Sequence, residues 1–196
     1  MVHLGPWPLE KLGVTWNFGR NAKQVERSSA GCGLTLDDGI QLAADLVLAA
    51  IGLRPCTNLA HTAGIKTQRG IVVNRHLQTH LPDLYAIGDC AEVGGHVLPY
   101  VQPLLIQVRT LAAILTGETA ALRYPAMPVM VKTTAYPLAV LPPLQNAQGD
   151  WRIEVTESGI RALHESPAGT LNGFTLGVGE TGKRAELAKQ VAALLA

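Results

Sequence analysis

Residues 79–89 read THLPDLYAIGD: a threonine, six residues, then Ala86-Ile87-Gly88-Asp89. The apolar residues 84–87 predict a buried strand that ends on a glycine and a carboxylate. The C-terminal end of a strand in an open α/β sheet is where such sheets bind ligands. Asp89 at that end can accept a hydrogen bond from a ribose or ribityl hydroxyl. Gly88 leaves room for a bound polyol, since any side chain there would stand between ligand and backbone. A helix follows about twelve residues later. Val101, Leu104, Leu105, Val108, Leu111, Ala112 and Leu115 recur at helical spacing and predict one apolar face. Pro103 suits its first turn and Gly117 its stop. The unpaired N–H groups at the start of this helix suit negative charge that develops on a ligand.

Upstream, residues 70–73 (GIVV) predict a short strand, and residues 45–51 (DLVLAAI) predict a strand covered on both faces that stops at Gly52 and Pro55. Residues 14–50 otherwise hold short apolar runs broken by turn chemistry such as Asp37-Asp38-Gly39, the pattern of a β-meander. Downstream of Gly117 the character changes. Prolines at 125, 128, 137, 142 and 143 flank β-type runs at 129–131 and 138–141. Further strands are predicted at 151–155, 160–164 and 171–176. Residues 180–195 predict a closing amphipathic helix, which makes a small α+β module.

Composition removes several classes of function. The chain has 196 residues, 47% of them hydrophobic, enough to bury a core. Sixteen Lys and Arg against fifteen Asp and Glu give a net charge of +1, so no nucleic-acid or anionic-membrane partner is expected. No apolar run approaches the roughly 20 residues of a spanning helix, and the start lacks the pattern of an export signal, so a cytoplasmic location is expected. Cysteines at 32, 56 and 90 lack the two-residue gap of a redox dithiol or zinc knuckle, and the six histidines are scattered, so no metal site is expected. No nucleophile with base and orienter, and no suitable carboxylate pair, points to hydrolysis. Cys90 reads as a small apolar filler beside the carboxylate. Arg20, Lys23 and Arg27 form a mild basic group that suits either an acidic electron carrier or ordinary solvent.

The run 79–89 is similar to the second FAD fingerprint of the two-dinucleotide-domain reductases, and VLAAIGLRP at 47–55 resembles the end of their nested NAD(P)H domain. GDCAEVGGHVLPYVQPLL (88–105) and YPAMPVMVKTTAYPLAVLPP (124–143) most resemble rubredoxin–NAD reductases. The resemblance implies an α/β fold: part of the two-dinucleotide-domain (FAD/NAD(P)-binding) architecture followed by the small α+β module. Residues 1–57 would be the C-terminal remnant of the NAD(P)H-binding domain, 58–117 the C-terminal part of the FAD-binding domain, and 118–196 the reductase module.

The resemblance also implies an FAD-dependent enzyme that takes electrons from NADH and passes them singly to rubredoxin or a similar small iron protein. It maps Asp89, with Gly88, to the flavin carboxylate, Val101 to a backbone contact with the flavin ring, and Lys132 to a basic residue near the isoalloxazine. An ammonium there would pair with negative charge on a reduced flavin. Gly52 is a further cofactor-binding position; no residue is assigned a catalytic role. Arg54 is open between a pyrophosphate contact and a solvated loop residue.

Both glycine-rich phosphate loops of such an enzyme are missing from this sequence. The start HLGPWP (3–8) fits a truncation or a shifted reading frame. Two expectations follow. The chain is one half of a flavoenzyme, completed by a chain that supplies the N-terminal half, or it is a non-catalytic remnant or interaction module without independent cofactor binding. The electron acceptor and the choice between NADH and NADPH stay open.

Overall fold

In a computed structural model, residues 9–29, 31–133 and 135–196 are described. The start at 3–8 lies outside them. The chain divides into two compact units, Met1–Gly52 and Leu53–Ala196.

The first unit contains the expected meander. β1 (Ala22–Ser28), β2 (Gly31–Leu36) and β3 (Gln41–Ala44) form an antiparallel sheet in sequence order. The β2–β3 turn closes because the Asp38 Oδ1 accepts the Ile40 N–H at 3.1 Å, while Gly39 takes the left-handed φ of 88° that the turn requires. Leu36 is its buried apolar residue. The predicted strand at 45–51 does not form. These residues are irregular, and Leu46, Leu48 and Ile51 stand in solvent. A strand meant to be covered on both faces needs neighbours for its backbone groups, and the meander offers none beyond β3.

The second unit has two cores. α1 (Asn58–Thr62) leads into β4 (Ile71–Val73), which pairs in parallel with β5 (Ala91–Val93). α2 (Val101–Leu115) follows. The first core gathers Val73, Leu77, Ala86, Ala91, Val93, Leu122, Tyr124 and Met127.

The predicted strand at 84–87 is reduced to an isolated bridge between Gln78 and Tyr85. Its backbone is still held: Ala86 N–H donates to Leu77 at 3.0 Å, and Thr79 N–H to Leu84 at 2.8 Å. The segment is extended but pairs only with its own hairpin-like approach, so no ladder propagates.

The α+β module forms as expected from β6 (Val129–Val131), β7 (Leu138–Leu141), β8 (Asp150–Val155), β9 (Ile160–Glu165) and β10 (Leu171–Leu176). They make one antiparallel sheet in the order β6-β7-β10-β9-β8. Its core is Ala139, Leu141, Leu163, Leu171, Phe174 and Leu176.

The closing helix is shorter than its periodicity predicts: a single 3-10 turn at Thr181–Lys183, then α3 (Arg184–Ala188). The tail serves both cores. Leu187, Ala188 and Val191 pack on the sheet, whereas Leu194 and Leu195 pack on the first core. Leu195 and Tyr124 exchange backbone hydrogen bonds at 2.9 and 3.1 Å, which pulls the chain out of helical geometry.

Candidate functional site

The chemistry expected at the end of residues 79–89 collects where a single 3-10 turn, Gly88–Cys90, meets α2. Thr79 shapes the approach. It is buried, and its hydroxyl accepts the Leu81 N–H at 3.1 Å, which closes the loop before Ala86. Ile87 is extended, and the chain then turns at Gly88 with φ 83°. Only glycine takes that conformation without strain. A Cβ at Gly88 would meet only the Leu104 Cδ1, at 3.6 Å, an ordinary contact, so this glycine lies against the first turn of α2 without crowding it.

Asp89 follows, exposed, and its carboxylate makes no hydrogen bond or ion pair among the described residues. Residue 100, the N-cap of α2, gives no side-chain cap. The first N–H groups of the helix, including that of Val101, therefore remain free of intrahelical partners. Cys90 turns its thiol toward the Ile87 carbonyl at 3.5 Å, and all three cysteines are free thiols.

Gln107 stands outside the motif at 79–89 yet holds it in place. It is buried on α2; its Oε1 accepts the Gly88 N–H at 2.5 Å and its Nε2 donates to the Tyr124 hydroxyl at 2.7 Å. One amide thereby fixes the site turn, the helix and the entry to the C-terminal module. Its signal was a glutamine inside an otherwise apolar helical stretch, Leu104-Leu105-Ile106-Gln107-Val108. Burial pushes the Tyr124 phenol above its ordinary pKa, against the opposing effect of the Gln107 hydrogen bond. Burial, then repulsion from Tyr124, does the same for Tyr100.

The packed face of α2 also differs from expectation. Pro103 and Gln107 are buried, Ile106 and Leu111 pack on the first core, and Val101, Leu105, Val108, Ala112 and Leu115 face solvent. The apolar stripe is split: Leu104 and Leu111 turn inward beside Pro103 and Gln107, and the rest of it faces solvent. Gln107 explains why: satisfying its amide between Gly88 and Tyr124 sets the rotation of α2.

Gly88, Asp89 and the start of α2 at Val101 are thus brought together. Lys132 is exposed just beyond the edge strand β6, and no hydrogen bond or ion pair links it to that group. Gly52 ends the first unit, exposed, with φ 103°. Arg54 and Arg69 line one cleft of about 400 Å³ with Leu53, Pro55, Val97 and Pro99. Of the basic group, Arg20 is ion-paired with Asp38, while Lys23 and Arg27 are exposed on β1, Lys23 at an irregularity in its register with β2.

Residues 8–111 match the family model described as pyridine nucleotide-disulphide oxidoreductase, more than half of the chain. The chain belongs to the pyridine nucleotide-disulphide oxidoreductase family. Residues 121–191, which span the five-stranded sheet, match a second model, described as rubredoxin binding C-terminal domain.

Similar family members include the rubredoxin-NAD(+) reductase of Alcanivorax borkumensis, 44% identical over 188 residues, with 95% of this chain and 49% of the relative covered. That of Acinetobacter baylyi is 46% identical over 178 residues, with 90% and 45% covered. Among solved structures, a ferredoxin reductase from Rhodopseudomonas palustris superposes with a TM-score of 0.74 at 28% identity, over 86% of this chain and 43% of that one. The reductase of a covalent putidaredoxin reductase–putidaredoxin complex shares the fold, with a TM-score of 0.76 at 24% identity over 92% and 46%. The chain therefore spans about half the length of the pyridine nucleotide-disulphide oxidoreductases it matches.

A ribityl chain fits the residues present. The Asp89 carboxylate is exposed and has no partner among the described residues, Gly88 puts no side chain beside it, and the uncapped helix start offers N–H groups. No helix among the described residues is long and apolar enough to cross a membrane.

Proposed function

We propose that this chain carries the ribityl side of an FAD site and the carrier-binding module of a reductase that takes electrons from NADH and delivers them to rubredoxin or a similar small iron protein. The observation that carries this reading is the Asp89 carboxylate, without a partner among the described residues and set beside Gly88 and the start of α2. The family match and the names of the relatives support it.

Gly88, Asp89 and the start of α2 would hold a flavin there, which would supply the conversion between two-electron and one-electron transfer that a one-electron iron centre requires. The chain's own residues bind and orient. Asp89 accepts from ribityl hydroxyls, and the Val101 N–H and its neighbours favour negative charge on the ring. Lys132 contributes a positive charge from the C-terminal module, and Gly52 lets the NADH-side backbone approach closely. We read residues 1–57, 58–117 and 118–196 as NADH-side, FAD-side and carrier-side segments. The reading supposes the reducing cytoplasm, where Cys32, Cys56 and Cys90 would remain thiols.

The test is spectroscopic. The chain, alone and mixed with the portion of the Alcanivorax reductase that it does not match, is supplied with FAD, and the visible spectrum is recorded before and after anaerobic NADH. Bound flavin that bleaches, with retention lost in Asp89→Ala, is the expected result. A mixture that holds no flavin, or an Asp89→Ala variant that retains it fully, would refute the reading.

A further inference from the structure

We propose, resting on the FAD reading above, that Gln107 is a positioning residue for the flavin: through Gly88 it fixes the Asp89 carboxylate relative to the N–H groups that open α2.

The two parts of the candidate site come from different elements. Asp89 belongs to the 3-10 turn Gly88–Cys90, and the N–H groups belong to the first turn of α2. Leu104 lies against Gly88 at ordinary contact distance, and apolar contact of that kind is non-directional. The Gln107 Oε1 supplies the direction by accepting the Gly88 N–H at 2.5 Å. An N–H at the start of a helical turn has no acceptor within that turn, and here Gln107 is the acceptor that meets it. Gln107 stands on the same helix as Val101, about 9 Å further along its axis. The bond therefore ties the turn that carries Asp89 to the helix whose start completes the site.

The amide is also held from its other end. Its Nε2 donates to the Tyr124 hydroxyl at 2.7 Å. Tyr124 is itself buried, and its backbone N–H and carbonyl are both bonded to Leu195, at 2.9 and 3.1 Å. With Nε2 committed to Tyr124, the oxygen faces Gly88; a flipped amide would set its NH₂ against the Gly88 N–H.

Packing alone does not call for this side chain. Gln107 is 2% exposed, and a leucine would fill a similar volume there with no polar group to desolvate. What glutamine adds is direction. So deeply buried, it offers no surface to a ligand and acts through Gly88.

The experiment uses the whole 196-residue chain mixed with the portion of the Alcanivorax reductase that it does not match, and reads FAD affinity from the quenching of flavin fluorescence. Gln107→Leu should weaken FAD binding at least about tenfold, since a turn left free to shift misplaces Asp89. Gln107→Glu should stay within about threefold of wild type: one carboxylate oxygen still accepts the Gly88 N–H, and the other accepts the Tyr124 hydroxyl once that hydroxyl turns. Leu163→Ala, a void in the separate second core, controls for general loosening; it should lower the urea midpoint at least as far as Gln107→Leu and leave FAD affinity unchanged. Hydrogen exchange at the Gly88 amide, followed by NMR without flavin, reads the turn directly. It should be slow in wild type and Gln107→Glu and fast in Gln107→Leu.

The positioning role is overturned if Gln107→Leu binds FAD as wild type does, if Gln107→Glu fails as badly as Gln107→Leu, or if Leu163→Ala weakens binding as much. Fast exchange at Gly88 in the wild-type chain would overturn it before any flavin is added. A wild-type mixture that binds no FAD removes the reductase reading and the positioning role together, whereas any of the other results with wild-type binding intact removes the positioning role alone.

Discussion

Gln107 connects Gly88 to Tyr124: its side-chain oxygen accepts the Gly88 N–H at 2.5 Å and its nitrogen donates to the Tyr124 hydroxyl at 2.7 Å. Gln107 and Tyr124 are buried and Gly88 is half-buried, so replacing the amide by water would require rearrangement on the Tyr124 side. Gln107→Leu would keep the volume and leave one donor and one acceptor unsatisfied. The expected loss is about 1–3 kcal/mol for each orphaned group that stays buried. Urea unfolding measures the total. Tyr124→Phe should cost less, and the double variant should cost less than the sum of the single ones, because the second change removes a partner already lost. Additive losses would mean that the two side chains are not coupled.

Gly88 is constrained by its backbone and not by space. An added Cβ would meet only the Leu104 methyl at ordinary contact distance, but φ 83° is left-handed. Gly88→Ala should therefore cost about 1–2 kcal/mol through the backbone. Gly70 is the opposite case. Its Cβ would lie 2.7 Å from the Cys90 carbonyl oxygen, and its N–H donates to the buried Glu92 carboxylate at 2.9 Å. Gly70→Ala must part β4 from β5 and should be the more destabilising of the two. Comparison of the urea midpoints decides this.

Acid should loosen the C-terminal module through Glu180. This buried carboxylate accepts hydrogen bonds from the hydroxyls of Ser158 and Thr156 and pairs with Lys183 at 2.9 Å. The Ser158 hydrogen bond, then those of Lys183 and Thr156, bring its pKa from 4.5 to about 2. A carboxylate with a depressed folded-state pKa stabilises fully above its unfolded value and loses that contribution as pH falls through the folded one. The difference in stability between wild type and Glu180→Gln should therefore be constant above about pH 5 and shrink between 4.5 and about 2. A difference independent of pH would exclude Glu180 as the titrating group.

The sequence made elements legible where local chemistry suffices. Asp37-Asp38-Gly39 dictates the β2–β3 turn by itself, and prolines at 128, 137, 142 and 143 bound β6 and β7 of the module. Residues 45–51 and 84–87 were apolar enough for strands, but a strand forms only where another backbone answers it, and periodicity does not show whether one does. The apolar stripe of α2 was legible, while the rotation of the helix was not, because that depends on the amide of Gln107 finding Gly88 and Tyr124. At the candidate site Gly88, Asp89 and Val101 could be read from one motif. Gln107 could not, since its role rests on partners 19 and 17 residues away in opposite directions along the chain.

Leu77 offers a last test, in which the usual ranking of two substitutions should be lost. It is fully buried in the first core yet has φ 61°, a left-handed conformation that costs a non-glycine residue about 1–2 kcal/mol. The strain is held by hydrogen bonds on both sides: Leu77 N–H donates to Asn74 at 3.0 Å, and its carbonyl accepts from Ala86 at 3.0 Å. Leu77→Ala empties the packing and keeps the strain, for an expected loss of about 2–5 kcal/mol. Leu77→Gly empties it further but relieves the backbone, offsetting the roughly 0.5–1 kcal/mol that glycine ordinarily loses to greater freedom in the unfolded chain. The glycine variant should be as stable as the alanine variant or more so. A glycine variant clearly less stable than alanine would show that Leu77 does not hold this backbone conformation in solution. Leu77 receives the Ala86 N–H, so its packing also sets the position from which the chain runs through Ile87 into Gly88 and Asp89.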